Sequence, residues 1–374
     1  MSDICKLQNG NSFKPHEWDT QGLPIIRIQN LNGSDNYNYF SGVPQDKWLV
    51  EPGQLLFSWA GTKGVSFGPF IWNGPKGVLN QHIYKVFANE NVHGHWLYLA
   101  LLHITQKIEA QAHGFKSTLL HVQKKDIDNQ FVLTPPVAEQ KKIAQILSTW
   151  DNAISVTEKL LTNSQLQKKA LMQKLLTGKK RLLDERGVRY GGEWHRAELG
   201  AVLDYMQPTP YLVDSTDYND SYSIPVLTAG KSFILGYTNE EHGIYHAPLP
   251  AIIFDDFTTD SKFVDFEFKA KSSAMKILTA KKGVSAKYIF EAMQMLKFKI
   301  GGHQRHWISI YSNLVIPIPD AKEQQKIASA LSTADAEIST LEKKLACLKE
   351  EKKALMQQLL TGKRRVKMDE AVAA

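Results

Sequence analysis

Cysteine is almost absent from this chain. The 374 residues hold two, Cys5 and Cys347, near opposite ends and without metal-ligand spacing, which gives no basis for a disulfide framework or a cysteine metal site and fits a reducing cytoplasm. Long apolar runs are missing as well. Nothing approaches the roughly 18 consecutive apolar residues of a transmembrane helix. The opening MSDICKLQNGNSF has no basic start leading into an apolar stretch, so neither a span nor a secretory signal is expected. Catalytic signatures are missing too: there is no Asn-Pro-Pro-Tyr run and no glycine-rich cofactor loop. The Gly230-Lys231-Ser232 triplet invites a phosphate-loop reading, but the required first glycine stands as Pro225. No catalytic residue, metal ligand or cofactor is expected on this chain, and any chemistry must come from partners.

What the sequence does contain is a copy of itself. At an offset of 184 residues, Glu139 to Arg181 aligns without a gap on Glu323 to Arg365, and 26 of these 43 positions are identical. The densest match is KKALMQKLLTGKKR against KKALMQQLLTGKRR, preceded by EQKKIA against EQQKIA. A fixed-offset match of this length marks a tandem duplication.

Apolar residues in each copy recur in alternating steps of four and three, the spacing of a coiled-coil seam. In the second copy the seam is Ile327, Leu331, Ala334, Ile338, Leu341, Leu345, Leu348, Leu355 and Leu359, broken only by Lys352. The first keeps the register with Ile143, Leu147, Trp150, Ile154, Leu161, Leu171 and Leu175, but puts Thr157, Ser164 and Lys168 on it. Pro135 and Pro136, Pro317 and Pro319, and the two Thr-Gly stops punctuate helices of about 38 residues, or roughly 57 Å. Antiparallel packing of the two is expected, with a pseudo-twofold relation between the halves, because a duplicated unit closes most simply by symmetry.

Residues 1–134 and 182–318 are rich in short strand-like runs between Gly, Pro, Asn and Asp. Each carries one late helix, Trp96 to His113 and Ala286 to Phe298, and then a last strand, FVL or LVIPI, before the long helix. The expected fold is therefore α/β (α+β): two strand-rich domains separated by two long helices, 135–181 and 319–365, with a tail at 366–374. The two repeats hold nine basic and three acidic, and nine and six, residues; together they carry +9 of a total of +7, leaving the rest at −2.

The paired repeats, each behind a divergent domain, resemble the specificity subunit of type I restriction-modification enzymes over essentially the whole chain. The resemblance implies that each divergent domain is a target recognition domain reading one half of a split, asymmetric DNA site. It also implies that the helices fix the spacing and bind two modification subunits, with two restriction subunits joining them. S-adenosylmethionine, ATP and Mg²⁺ would sit on those partners. The second domain opens with EWHRAELGAVL, a start typical of such domains, whereas the first begins directly at SDICKL. About ten leading residues have no counterpart, so either the first domain lacks an edge element or its start lies further upstream.

Candidate DNA contacts follow from residue chemistry. In the first domain GQLLFSWAGTKG reads as a strand delivering a Gly-framed loop with Trp59, Thr62 and Lys63, the last two suited to phosphates or base edges. Gln81 can pair bidentately with adenine, and His82 lies beside it. Lys116 and Ser117 follow the helix. In the second domain the candidates are Thr228 and Lys231, then Asp256, Thr258, Thr259 and Lys262 behind the apolar run AIIF. Ser272, Ser273, His303 and Arg305 complete the set, with Arg305 the best base reader because arginine to guanine is the commonest specific contact. Two other readings stand beside this one. Asp256 with Glu267 and Lys269 loosely imitates a metal-dependent nuclease core, and the divergent domains could instead bind proteins on a coiled-coil scaffold.

Overall fold

The computed structural model describes residues 1–111, 119–228, 232–296 and 306–367. The chain divides into two compact units: one comprises residues 1–157 with 344–374, the other residues 158–343.

The first unit is built on a four-stranded sheet, ordered β1 (Cys5–Asn9), β9 (Ile83–Ala88), β5 (Leu55–Ser58), β7 (Gly68–Ile71), with every pairing antiparallel. A second sheet is ordered β3 (Tyr39–Phe40), β2 (Leu23–Ile26), β8 (Gly77–Leu79), β4 (Leu49–Val50), and β6 (Ala60–Thr62) pairs with β10 (Leu119–His121). Helices α1 (Ile28–Leu31), α2 (Gly94–Gln111) and α3 (Lys124–Asp128) complete it, together with the first part of α4 (Val137–Leu175). One face of α2 buries Trp96, Leu97, Ala100, Leu101 and Ile104 against Phe57, Tyr84 and Val86 of the sheet and Ile143 and Leu147 of α4. Each large apolar side chain so enclosed contributes about 1.5–3 kcal/mol relative to exposure.

The second unit repeats the plan. Its main sheet is ordered β12 (Leu203–Met206), β18 (Met275–Ala280), β15 (Ala251–Asp255), β16 (Ser261–Val264), again antiparallel. A three-stranded sheet is ordered β14 (Ile234–Thr238), β13 (Ile224–Leu227), β17 (Lys269–Ala270), and β11 (His195–Glu198) pairs with β19 (Val315–Ile318). Its helices are α5 (Leu199–Val202), α6 (Ala286–Gln294), α7 (His306–Ser309) and most of α8 (Ala321–Leu360). Ser285 caps α6 by accepting from the Tyr288 amide, and Tyr288 and Ile289 bury against Leu278, Phe254 and Trp307.

The duplicated helices keep their expected register. Every seam position is buried or half-buried, including polar Thr157 and Ser164, and none is exposed. Ser164 donates to Glu337 Oε1 at 3.0 Å, which satisfies a hydroxyl the sequence places on an apolar seam. Within each unit the two helical segments run antiparallel. In the first, Glu139 meets Arg365 and Asp151 meets Lys352; in the second, Glu323 meets Arg181 and Asp335 meets Lys168. These are the same residues of the repeat with the helices exchanged.

The invariant Gln after each of these glutamates also has a structural use. Gln140 donates to Pro135 O and accepts from the His93 amide, while Gln324 donates to Pro319 O and accepts from the Ser285 amide. Each ties the start of a long helix to the start of the helix in its domain.

One expected strand does not form. LVIPI is β19, but FVL is no strand: Phe131 is 91% and Leu133 65% exposed, and the first unit has no described counterpart of β11 to pair with it. A strand is defined by its partner, which residue propensity alone cannot supply.

Candidate nucleic-acid interface

In the second unit, three chain segments emerge at one end of its sheets. Lys271 N donates to Leu227 O, so the segment after β13, beginning at Thr228, lies beside the segment after β17. Residues 271–274 then lead directly into β18. Asp256 N donates to Ala274 O, which brings the hairpin between β15 and β16 to the same place. The chain re-enters the described region at His306, whose amide donates to Asp256 O at 3.0 Å. Thr228, Thr258, Thr259, Ser272 and Ser273 are thus gathered from separate stretches of sequence. Lys262 is exposed on β16, facing outward from the same hairpin.

The hairpin tip is held by Asp255, whose Oδ1 accepts from the amides of Phe257 at 2.8 Å and Thr258 at 3.2 Å. Thr259 sits at a φ of 61°, a left-handed conformation that costs a β-branched residue and fixes the tip's shape. Phe257 is exposed there beside the hydroxyls. Ser272 Oγ accepts from the Ala274 amide at 3.1 Å, which leaves the hydroxyl a proton to donate and a second lone pair.

Asp256 departs from expectation. It is 1% exposed, its Oδ1 accepts from the Trp307 amide at 2.8 Å and its Oδ2 faces Lys276 Nζ at 3.3 Å. Both oxygens are engaged inside the fold, so the carboxylate cannot reach a cytosine edge. The nuclease-like constellation dissolves with it. Lys269 is buried against Glu240 at 2.6 Å, and Glu267 lies exposed against His246. The three residues do not converge.

In the first unit, Trp59 is the centre of an aromatic group. Its ring lies 4.7 Å from His121, 5.0 Å from His82 and 6.0 Å from Tyr84. Backbone bonds from Trp59 N to His82 O and from Val122 N to Trp59 O lock the three segments together. Burial, aided by the neighbouring His121, lowers the His82 pKa, and its Nδ1 is buried without a partner among the described residues. Gln81 Nε2 lies 3.2 Å from His82 Nε2, joining the two candidates. Thr62 pairs with Leu119, which follows residues 112–118.

Lys63 is already engaged. Its ammonium donates to Glu109 O at 2.5 Å and the Gly64 amide to Glu109 Oε1 at 2.7 Å, supplying donors to the last turn of α2 where carbonyls lack helical partners. It secures the loop rather than projecting from it. Lys116, Ser117, Lys231, His303 and Arg305 lie outside the described residues.

His121, Phe257 and Lys271 were not singled out by the sequence. Lys271 Nζ lies 5.9 Å over the Tyr218 ring. Each takes its place, His121 in the first unit and Phe257 and Lys271 in the second, through pairing between segments distant in sequence. One group among the described residues has metal-like spacing, Asp214, Glu240 and His242, with ligand atoms within 4.8 Å of one another. Glu240 is committed to Lys269 and to the amides of Asp214 and Ser215. No helix among the described residues is long and apolar enough to cross a membrane.

Residues 1–164 and 192–350 match the family described as the type I restriction modification DNA specificity domain. A type I restriction enzyme specificity subunit of Escherichia coli is 55% identical over 139 residues, 36% of this chain and 34% of that protein. A putative type I restriction enzyme specificity subunit of Methanocaldococcus jannaschii is 26% identical over 410 aligned positions, covering 98% of this chain and 93% of its own length. Among solved structures, the S subunit of a type I restriction-modification system from M. genitalium superposes with a TM-score of 0.63 at 15% identity, covering 98% of this chain and 95% of that one.

Proposed function

The chain belongs to the type I restriction-modification DNA specificity family, and from that premise we propose that each unit reads one half of a split DNA site, with the chain serving as the non-catalytic specificity subunit of a larger complex. The observation that carries this reading is the contrast within the duplication. The helical repeats conserve their ion pairs residue for residue, while the strand ends that gather Thr258, Thr259, Ser272 and Ser273 in one unit, and Trp59, Gln81 and His82 in the other, have diverged. A fixed frame with two different surfaces suits an asymmetric sequence.

The frame then acts as the ruler. Half-sites read from one side of a duplex lie about 34 Å apart, one helical turn, and the two long helices set that separation. The helices carry the basic surplus and offer themselves to two modification subunits, which supply S-adenosylmethionine and methylate adenine. Two restriction subunits add ATP- and Mg²⁺-dependent cleavage. With the rest of the chain at −2, this subunit alone binds DNA weakly, because sequence-independent affinity comes from phosphate neutralisation.

The test is the methylome of a host expressing this chain with a modification subunit. The expected result is one bipartite motif, and exchange of residues 1–134 for those of a relative changes one half of it and leaves the other. Absence of any enriched split motif would favour a protein-binding scaffold, and cleavage by the purified chain alone would sink the reading.

A further inference from the structure

The two units gather their strand ends by the same backbone bonds, which equates residues that the 184-residue offset does not align. In the second unit the parallel pair of β13 and β17 is followed by the bond from Lys271 N to Leu227 O at 2.9 Å. In the first, the parallel pair of β2 and β8 is followed by the bond from Asn80 N to Ile26 O at 3.0 Å. The neighbouring segments agree as well. Trp59 N donates to His82 O and Val122 N to Trp59 O, where Asp256 N donates to Ala274 O and His306 N to Asp256 O. Leu23-Pro24-Ile25-Ile26-Arg27 therefore stands for Ile224-Pro225-Val226-Leu227-Thr228. Arg27 holds the place of Thr228.

Arg27 is a cation held in one position. Its amide donates to Oδ1 of the buried Asn30 at 3.0 Å, and Asn30 Nδ2 in turn donates to the carbonyls of Ser34 and Asn36. The guanidinium lies 5.1 Å over the ring of Trp18, whose Nε1 donates to Phe13 O at 3.3 Å. Stacking orients the head group without consuming its hydrogen bonds. Nε is buried and unbonded, and among the described residues neither Nη has an acceptor and no carboxylate pairs with the charge. Asp19, the neighbour of Trp18, accepts from the Thr20 amide instead. What Arg27 has left to offer is two parallel donors at its end.

We infer that Arg27 reads a guanine in the half-site of the first unit, donating from its two Nη atoms to O6 and N7. The inference rests on the DNA-reading function proposed above and names a base that it recognises. Two donors side by side match two adjacent acceptors, which only guanine among the bases presents in the major groove. A phosphate contact serves every sequence equally, so it gives the position no reason to be arginine in one unit and threonine in the other. A base contact must differ when the half-sites differ. Asn80 leads directly into Gln81 and His82, so Arg27 belongs to the same group of strand ends as those residues and Trp59.

The experiment is a selection from random duplexes by the methyltransferase assembled from this chain and a modification subunit. For the parent, the half of the motif that depends on residues 1–134 is expected to contain a G·C pair. In Arg27→Gln, whose shorter amide cannot make the same two bonds, preference for that pair is expected to fall roughly tenfold or more while other positions stay within about twofold. Arg27→Lys keeps the charge but loses the planar fork and its stack on Trp18. It is expected to lose severalfold of the same preference with the salt dependence unchanged. The half-site that depends on residues 182–318 is expected to be selected as before by both variants, which shows them folded and assembled. Three results would overturn the inference. One is a first half-site without a G·C pair, and another is an unchanged preference in Arg27→Gln. The third is a loss spread evenly over all sequences, with the salt slope reduced by about 1 and full recovery in Arg27→Lys, which is the behaviour of a phosphate contact. A parent that selects no split motif would remove the DNA reading itself, before any variant is compared.

Discussion

Arg181 closes on Glu323 in a two-pronged grip, with Nε and Nη2 each 2.6 Å from a carboxylate oxygen. Planar guanidinium to planar carboxylate is the strongest geometry available to an ion pair. Glu323 is fully buried, and the hydrogen bonds to it raise the Arg181 pKa.

Removing Arg181 strands that carboxylate. Arg181→Ala is expected to lower the stability of the second unit by about 3 kcal/mol, within the range for breaking one side of a buried pair. Arg365→Ala is expected to cost less, because the Arg365 side chain is 69% exposed. Urea unfolding of both variants checks the order, and equal midpoints would contradict it.

Asp256→Ala leaves Lys276 buried beside a missing partner and the Trp307 amide without its acceptor. A loss of about 3–5 kcal/mol is expected, visible as an earlier unfolding transition. If instead the variant unfolds like the parent and only its DNA preference changes, Asp256 reads bases after all.

Acid sensitivity has a traceable source. Burial opposes ionisation of Asp335, but hydrogen bonds from Lys168 at 2.5 Å and Lys287 at 2.9 Å outweigh it and hold the carboxyl below its ordinary value of 3.8. A carboxyl depressed on folding stabilises fully above its unfolded value and loses that contribution as pH falls through the folded one. Stability of the second unit should therefore drop as pH falls below about 4. Asp335→Asn should flatten that slope while lowering stability at pH 7. Parallel slopes for the two proteins would rule out this pair as the cause.

Contacts of different kinds leave different traces in binding. Lys262→Ala, at an exposed cation, should weaken binding across all sequences and reduce the salt slope by about 1. Thr258→Ala or Ser273→Ala should instead relax one base position, worth about 1–3 kcal/mol. Selection from random duplexes by the assembled methyltransferase, repeated at two salt concentrations, distinguishes these outcomes.

The long helices were legible residue by residue because helical periodicity is local. Even the misfit Ser164 fell on the expected face, with Glu337 as its partner. The candidate site was legible only as a set of loops. Thr258 and Ser273 share an end of the sheet because Asp255 pairs with Met275, and no local pattern encodes that register. The Trp59, His82 and His121 group depends on three segments brought together by strand pairing. Asp256 misled for the same reason, since its burial depends on Lys276 and Trp307. FVL misled because a strand needs a neighbour as well as β-forming residues.

The Glu139–Arg365 and Glu323–Arg181 grips have a consequence for ancestry. Each copy of the repeat carries one acidic and one basic member, and each member finds its partner in the other copy. Such a surface is complementary to itself. A gene for half this chain would encode both sides of the lock, and its product could close only on a twin. Joining two such halves in one reading frame keeps the lock and lets each domain's surface differ from the other's.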